Sequence, residues 1–193
     1  GNWQSGPSLP QYSSEFPPYV ESVGTRLFVF SIVDASTTKA FELDANGSSW
    51  TEITVDRIWA HSGASLTLGN SIYFIGGDGG YNSPSSMLQK FDSSTGVLSN
   101  SSLPAAILQP SAFSINGYIY VIGKVGQFYR YDPDKNTWDM VHAHPFPPDS
   151  TYVNNHTAGI HKSKAWVTGG TRFRANDGNG GSGRDTETYT GTF

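Results

Sequence analysis

Four short apolar segments recur along this chain at a nearly constant distance. Leu27-Phe28-Val29-Phe30, Ile72-Tyr73-Phe74-Ile75, Ile119-Tyr120-Val121-Ile122 and Ala165-Trp166-Val167-Thr168 begin 45, 47 and 46 residues apart. A fixed period of this size marks a repeat architecture, in which each repeat is one supersecondary unit that buries its apolar faces against its neighbours. Within a repeat the pattern alternates with period two, as in Ser65-Leu66-Thr67-Leu68, and turn pairs such as Gly69-Asn70 and Asn116-Gly117 separate the runs. That pattern reads as hairpins. No sustained i, i+3, i+4 apolar stripe occurs, so almost no helix is expected.

Two further signals ride on the period. Glycine pairs follow two of the segments, Gly76-Gly77 and Gly169-Gly170, and Gly123 follows a third. Further along, an apolar residue and an acid precede a bulky residue: Leu43-Asp44 then Trp50, Phe91-Asp92 then Leu98, and Tyr131-Asp132 then Trp138. The acid and the bulky residue stand six positions apart in all three.

Composition narrows the chemistry. The 193 residues are one domain's worth of chain, enough to bury a core without staples. With no cysteine there is no disulfide, Cys-ligated zinc or thiol nucleophile. A net charge of -4, 15% charged residues and no Lys/Arg run argue against nucleic acid as a partner. The longest apolar run, Tyr118–Ile122, is far short of a membrane span of about 20 residues. Gly1 opens the chain with no leader-like segment after it, which reads as a processed or excised chain.

The combination of strand, glycine pair, variable loop, Tyr-Asp and a Trp six residues later resembles the kelch repeat. "YFIGGDGG…KFD" and "YVIGK…RYDPDKNTW" are the nearest matches, and the resemblance covers essentially the whole chain. It implies an all-β, kelch-type β-propeller of four four-stranded blades in a single domain spanning 1–193, with repeats near 11–55, 56–104, 105–148 and 149–193 plus 1–10. The residues it marks as structural are Asp44, Trp50, Gly76, Gly77, Asp92, Asp132, Trp138, Gly169 and Gly170. Physically, the acid accepts turn N–H groups, glycine allows close backbone approach, and the Trp wedges between sheets. Ser31-Ile32 and Leu98 depart from the pattern.

The ends bear on how such a ring closes. Tyr189-Thr190 stands where Tyr-Asp belongs, and no Trp follows before Phe193. Counting on from Thr190 through Phe193 and Gly1, the sixth position is Trp3. The N-terminal segment Gly1–Pro10 is therefore expected to close the last blade as its outer strand beside Asp185–Phe193, with Trp3 buried between blades. Three arrangements share this phase: a four-bladed ring, an excerpt of a longer propeller, and a protomer that lends Gly1–Pro10 to a neighbour and self-associates through it.

His142 and His144 share a strand face, but no third ligand stands at a metal spacing, so no metal is expected. The loop from Asp177 to Asp185 has oxygens at alternate positions but Thr188 where a calcium loop needs its closing acid. Kelch-like copper oxidases need a Tyr–Cys crosslink, and the iron-binding specifier proteins a Glu-x3-Asp-x3-His; neither occurs here. Arg57, Arg172, Arg174 and Glu21 match mutarotase-type channel residues by position only. No catalytic residue and no cofactor are assigned. The repeat register instead places Tyr19, Arg57, Trp59, His61, Gln109, Tyr152, Asn154 and His156 at equivalent points, where they would gather at one channel mouth and hold a protein or carbohydrate ligand. The competing reading is that Trp59 and Tyr19 plug a narrow ring.

Sequons at Asn46, Asn100 and Asn155, with low charge, point to a secreted or cell-surface glycoprotein. The function read from the sequence is a non-enzymatic extracellular binding or assembly module. Its alternatives are an intracellular, cytoplasmic kelch adaptor that binds a peptide and a carbohydrate-acting enzyme of the mutarotase type.

Overall fold

The computed structural model describes residues 2–10, 17–34, 36–79, 83–124, 127–141, 150–174 and 188–192, and leaves the side chains within 150–155 and 169–192 undescribed. Every element in it is a β-strand paired antiparallel with its neighbour in sequence. Sheet 1 is β1 (Tyr19–Val23), β2 (Arg26–Ile32), β3 (Thr38–Leu43) and β4 (Trp50–Ile53). Sheet 2 is β5 (Ala64–Leu68), β6 (Ser71–Ile75), β7 (Ser85–Asp92) and β8 (Leu98–Ile107). Sheet 3 is β9 (Ser111–Ile115), β10 (Tyr118–Ile122), β11 (Phe128–Asp132) and β12 (Thr137–Met140), and sheet 4 is β13 (Ser150–His161), β14 (Lys164–Arg174) and β15 (Thr188–Thr192). No helix among the described residues is long and apolar enough to cross a membrane.

The turns explain the meander. Asn116 and Gly117 both sit at positive φ (54° and 83°), the geometry of a two-residue hairpin whose twist matches its strands. The first strands lie side by side in sequence order, β1 by β5, β5 by β9 and β9 by β13. Sheets stacked in this way leave both faces of a middle sheet covered. In β6, Ile72 and Phe74, with Phe91 of β7, pack on Phe28 and Phe30 of sheet 1, while Tyr73 and Ile75 pack on Ile119, Val121 and Tyr131 of sheet 3. In β10, Ile119 and Val121 face sheet 2, while Tyr120 and Ile122 face sheet 4 with Ala165 and Val167. The period-two alternation thus sends successive side chains to opposite neighbours.

The acid-to-bulky spacing is a hairpin. Leu43 lies opposite Trp50, Phe91 opposite Leu98 and Tyr131 opposite Trp138, so the residue before each acid is the cross-strand partner of the bulky one. Between them the acid ties the turn. Asp44 accepts from the Ser48 amide (2.6 Å) and hydroxyl (2.6 Å). Asp92 accepts from the amides of Ser94 and Thr95 (2.8 and 3.1 Å), and Asp132 from those of Asp134 and Lys135 (3.1 Å each). Leu98 packs in the core between sheets 1 and 2, and Trp138 in that between sheets 2 and 3.

Gly76 and Gly77 are at positive φ (59° and 92°) in a crowded place. A Cβ on Gly77 would stand 2.4 Å from the His61 carbonyl oxygen, and one on Gly76 would stand 2.9 Å from that of Ile107. The pair lets the end of β6 turn against the chain entering β5 and leaving β8. Gly169 and Gly170 differ: β14 runs on through them to Arg174, with Gly169 opposite His156. That pair continues its strand and does not end it.

The N-terminal expectation needs correcting. Residues 2–9 form no strand, sheet 4 has three described strands, and Trp3 is fully exposed. Trp3 is therefore not a wedge between sheets of its own chain. Proline does not account for this, since β8, the outer strand of sheet 2, carries Pro104. What the segment supplies is a carbonyl: Trp50 Nε1 donates to Pro7 O at 3.0 Å.

Two predictions follow from the turns. Gly77→Ala should lose about 3 kcal/mol or more of stability, because strain and overlap add, whereas Gly96→Ala, at φ 75° in open space, should lose about 1–2; urea denaturation of both variants measures the difference. The second concerns acid. Hydrogen bonds from the Ser48 hydroxyl and amide hold the Asp44 carboxyl down to about 2, and those from Ser94 and Lys135 lower Asp92 and Asp132. A carboxyl more acidic when folded stabilises the fold above the unfolded-chain value near 3.9 and loses that contribution as pH falls through its folded value. Stability should fall as pH drops from about 4 toward 2, and Asp44→Asn should flatten that slope in urea melts taken across the window.

Candidate functional site

The connection between β4 and β5 carries three of the residues named above, Arg57, Trp59 and His61. Alternation again sorts them. Ile58 and Ala60 point into the core with Phe28 and Phe74, both 0% exposed, which turns Arg57 and Trp59 the other way. The Arg57 guanidinium carbon stands 3.4 Å from the centre of the Trp59 ring, and Trp59 stays 38% exposed. This is a cation stacked on an indole face that solvent reaches.

The connection is pinned from below. Gln89, on β7 and 1% exposed, accepts from the Trp59 amide at 2.7 Å through Oε1. Its Nε2 donates to the Arg57 carbonyl at 2.9 Å and to Asn100 Oδ1 at 3.0 Å. The Ile58 amide donates to Thr38 Oγ1 at 2.9 Å. Three successive backbone groups are thus held by side chains of two sheets, so the loop has the rigidity of the sheets beneath it. Arg57 makes no ion pair among the described residues, and its buried Nε has no acceptor there.

Tyr19 is engaged elsewhere. Its hydroxyl donates to the Ala60 carbonyl and accepts from the Gly63 amide at 2.9 Å, and its ring meets Phe74 edge-on at 5.4 Å. Burial pushes its pKa far up. Tyr19 thus braces the same connection from sheet 1. His61 is also inside, 7% exposed; burial first, then the Arg57 charge, lowers its pKa, with Asp78 acting against them.

His156 is 6% exposed and its Nδ1 lies 2.6 Å from Ser111 Oγ, itself 6% exposed. Serine and histidine at this distance are the residue types of a nucleophile and its base. Buried as they are, they tie β9 to β13. Gln109 is half-buried at φ 51°, just before buried Pro110. Tyr152 and Asn154 lie on β13 opposite Phe173 and Thr171, and their side chains, with those of Asn155, Arg172 and Arg174, lie outside the described residues. So do His142, His144 and the loop from Asp177 to Asp185. Glu21 accepts from Ser65 Oγ (2.6 Å) and Thr67 Oγ1 (3.0 Å), which joins sheets 1 and 2.

The structure therefore brings together Arg57, Trp59 and Tyr19, with Tyr19 in support, while His61 is buried beside Arg57 and Asp78 and His156 is buried against Ser111 between sheets 3 and 4. Gln89 and Asn100 complete the site, although no repeat signal points to them. Their only sequence signal is a polar residue inside an apolar strand pattern, Leu88-Gln89-Lys90-Phe91, and such a residue is informative when it is buried.

Gln89→Ala should cost about 1–3 kcal/mol by leaving the Trp59 amide and Arg57 carbonyl without partners, and it should speed exchange of the Trp59 amide proton. Amide exchange measured residue by residue checks this, and an unchanged Trp59 rate would mean that the loop is held by something else. A scan against protein-family models and a search of curated proteins found no match to the chain.

Proposed function

We propose that the four sheets are blades of a kelch-type propeller and that the protein is a non-enzymatic binding or assembly module whose ligand docks on the Arg57–Trp59 pair. The observation that carries the reading is that pair: a solvent-reachable aromatic face with a guanidinium fixed 3.4 Å from it, on a backbone pinned by Gln89. Rigid anchors bind well because little ordering entropy remains to be lost on docking. A flat indole beside a planar cation suits the face of a sugar ring or an extended peptide. The fold reading is supported by meander sheets in sequence order, first strands side by side, and central strands that share both faces with neighbours.

The same reading places the protein outside the cell as a glycoprotein. Asn46 is exposed in the turn after Asp44, and Asn100 is exposed on β8, the outermost strand of sheet 2, where a glycan would stand in water. Peptide mapping of native material should find glycan on one or more of Asn46, Asn100 and Asn155; three bare asparagines would remove the argument for secretion.

The ligand site is tested with glycan and peptide arrays probed by the parent, Trp59→Ala and Arg57→Ala proteins. The parent should bind a subset of one array, and Trp59→Ala should weaken that binding by about 1–3 kcal/mol as truncation of an aromatic anchor does. Binding that is unchanged in both variants would make the pair a structural lid. Catalytic turnover of a bound sugar would favour the enzyme alternative.

A further inference from the structure

An asparagine followed by glycine carries its own electrophile and nucleophile. The side-chain amide carbon lies within reach of the next backbone nitrogen, and glycine places no side chain in the way of the approach. Among the described residues such a pair occurs at Asn46-Gly47 and at Asn116-Gly117, and both asparagines are exposed. Asn179-Gly180 lies outside the described residues. A Cβ built on Gly47 or on Gly117 would meet nothing within 4 Å, so open space does not tell the two pairs apart. What holds the glycine amide does.

In the turn after β3 the Gly47 amide donates to the Asp44 carbonyl at 2.9 Å. The Asp44 carboxylate ties the same turn again by accepting from the Ser48 amide and hydroxyl, each at 2.6 Å. In the hairpin between β9 and β10, Ile115 pairs with Tyr118 around Asn116 and Gly117. The bond that closes such a turn joins the flanking residues and leaves the central amides unused. Accordingly, the Gly117 amide meets no acceptor among the described residues, and the Asn116 side chain makes no hydrogen bond there. Asn136 has the same φ of 54°, but its Oδ1 accepts from the Tyr131 hydroxyl at 2.8 Å and Ser101 Oγ at 3.2 Å, and Thr137 follows it. Asn100 is held by Gln89 and precedes Ser101. Asn116 therefore combines a glycine neighbour, a free side chain and a free attacking amide.

We propose that Asn116 is a site of spontaneous covalent modification, in which the Gly117 nitrogen closes on the Asn116 side chain and expels ammonia. The step begins when hydroxide takes the Gly117 amide proton. The nitrogen then bonds to Asn116 Cγ, the Cγ–Nδ2 bond breaks, and the leaving nitrogen takes a proton from water to depart as ammonia. A cyclic imide remains. Water opens it in one of two ways: breaking the bond from Cγ to the Gly117 nitrogen gives aspartate, and breaking the bond from the Asn116 carbonyl carbon gives isoaspartate. Nothing is oxidised or reduced, and a water replaces the ammonia. At Asn46 the same step must first break the hydrogen bond that holds the Gly47 amide to Asp44. Isoaspartate routes the backbone through Cβ, which adds a carbon to a turn whose length sets the pairing of Ile115 with Tyr118. Conversion at Asn116 therefore loosens the β9–β10 hairpin of sheet 3, whatever binds at Arg57.

Peptide mapping by mass spectrometry tests it, on protein made in a bacterial host so that no glycan covers Asn46 and held folded at mildly alkaline pH. Asn116 should convert roughly five-fold faster than Asn46, the factor that one backbone hydrogen bond is worth. Aspartyl and isoaspartyl peptides should both appear at Asn116. In concentrated urea, where neither turn is formed, the two rates should converge. Asn46 converting as fast as Asn116 in the folded protein, or Asn116 staying intact there while the unfolded chain loses it, overturns the proposal. The effect on the hairpin has its own arm. Aged parent protein should unfold at lower urea as isoaspartate accumulates, whereas Asn116→Gly, which tolerates the same positive φ and has no side-chain amide, should keep its midpoint. An Asn116→Gly protein that weakens on ageing as the parent does would place the damage elsewhere and overturn the role given to this hairpin.

Discussion

A single four-stranded sheet of this size has two apolar faces and no way to bury either one alone. The aromatic contact between sheets solves that problem, and everything else is arranged around it. Because Tyr73 and Ile75 serve one neighbour while Ile72 and Phe74 serve the other, β6 is buried along its whole length. The four-ring group of Phe28, Phe30, Phe74 and Phe91 shows how tight the contact is, with edge-on pairs at 4.9, 5.2 and 5.8 Å. Those are the separations at which aromatic rings gain beyond their buried area. The contact is reused with different side chains, so Phe91 with Leu98 performs the task that Tyr131 with Trp138 performs in the next junction. That tolerance explains why Leu98 departs from the repeat pattern without breaking the fold: the site needs apolar volume, not an indole.

Polar groups are placed where the stacking would otherwise leave backbone unsatisfied. Asp44, Asp92 and Asp132 close the outer hairpin turns, and Gln89 and Tyr19 together hold the connection that steps from sheet 1 to sheet 2. The step between sheets is where the chain leaves its ladder, so amides and carbonyls there need side-chain partners. One consequence is functional. The pinned backbone leaves Arg57 and Trp59 facing outward on a support as rigid as the strands. Another is a cost: Trp138 keeps a buried Nε1 with no acceptor among the described residues, while the equivalent Trp50 finds Pro7. Indole volume was evidently worth more in that junction than the hydrogen bond it forgoes.

The N-terminal segment shows how a correct count can mislead about contact. Its phase relative to the repeats places Trp3 in the series of Trp50, Leu98 and Trp138, yet Trp3 is fully exposed and only the Pro7 carbonyl engages sheet 1. Phase fixes where a residue would sit if its segment joined a ladder. Whether it joins is decided by the surrounding packing and not by proline, since β8, an outer strand, carries Pro104.

The sequence by itself determined the strands, their order and the faces they show. The 45–47 residue period and two-residue alternation are local properties of the backbone and side chains, and they survive any packing of the sheets. The turn role of the acids was equally legible, since an aspartate and the amides it binds lie within five residues of each other. Only the tertiary structure decided which polar residues serve the site. Gln89 is 30 residues from Trp59 and Tyr19 is 44 from Gly63, and no local rule links positions so far apart until sheets 1 and 2 are stacked. The same stacking tied His156 to Ser111 between sheets 3 and 4, and it set Gly77, crowded against the His61 carbonyl, apart from Gly170, which simply extends a strand. A repeat unit specifies what each position can offer, and its neighbours in space determine what that position meets.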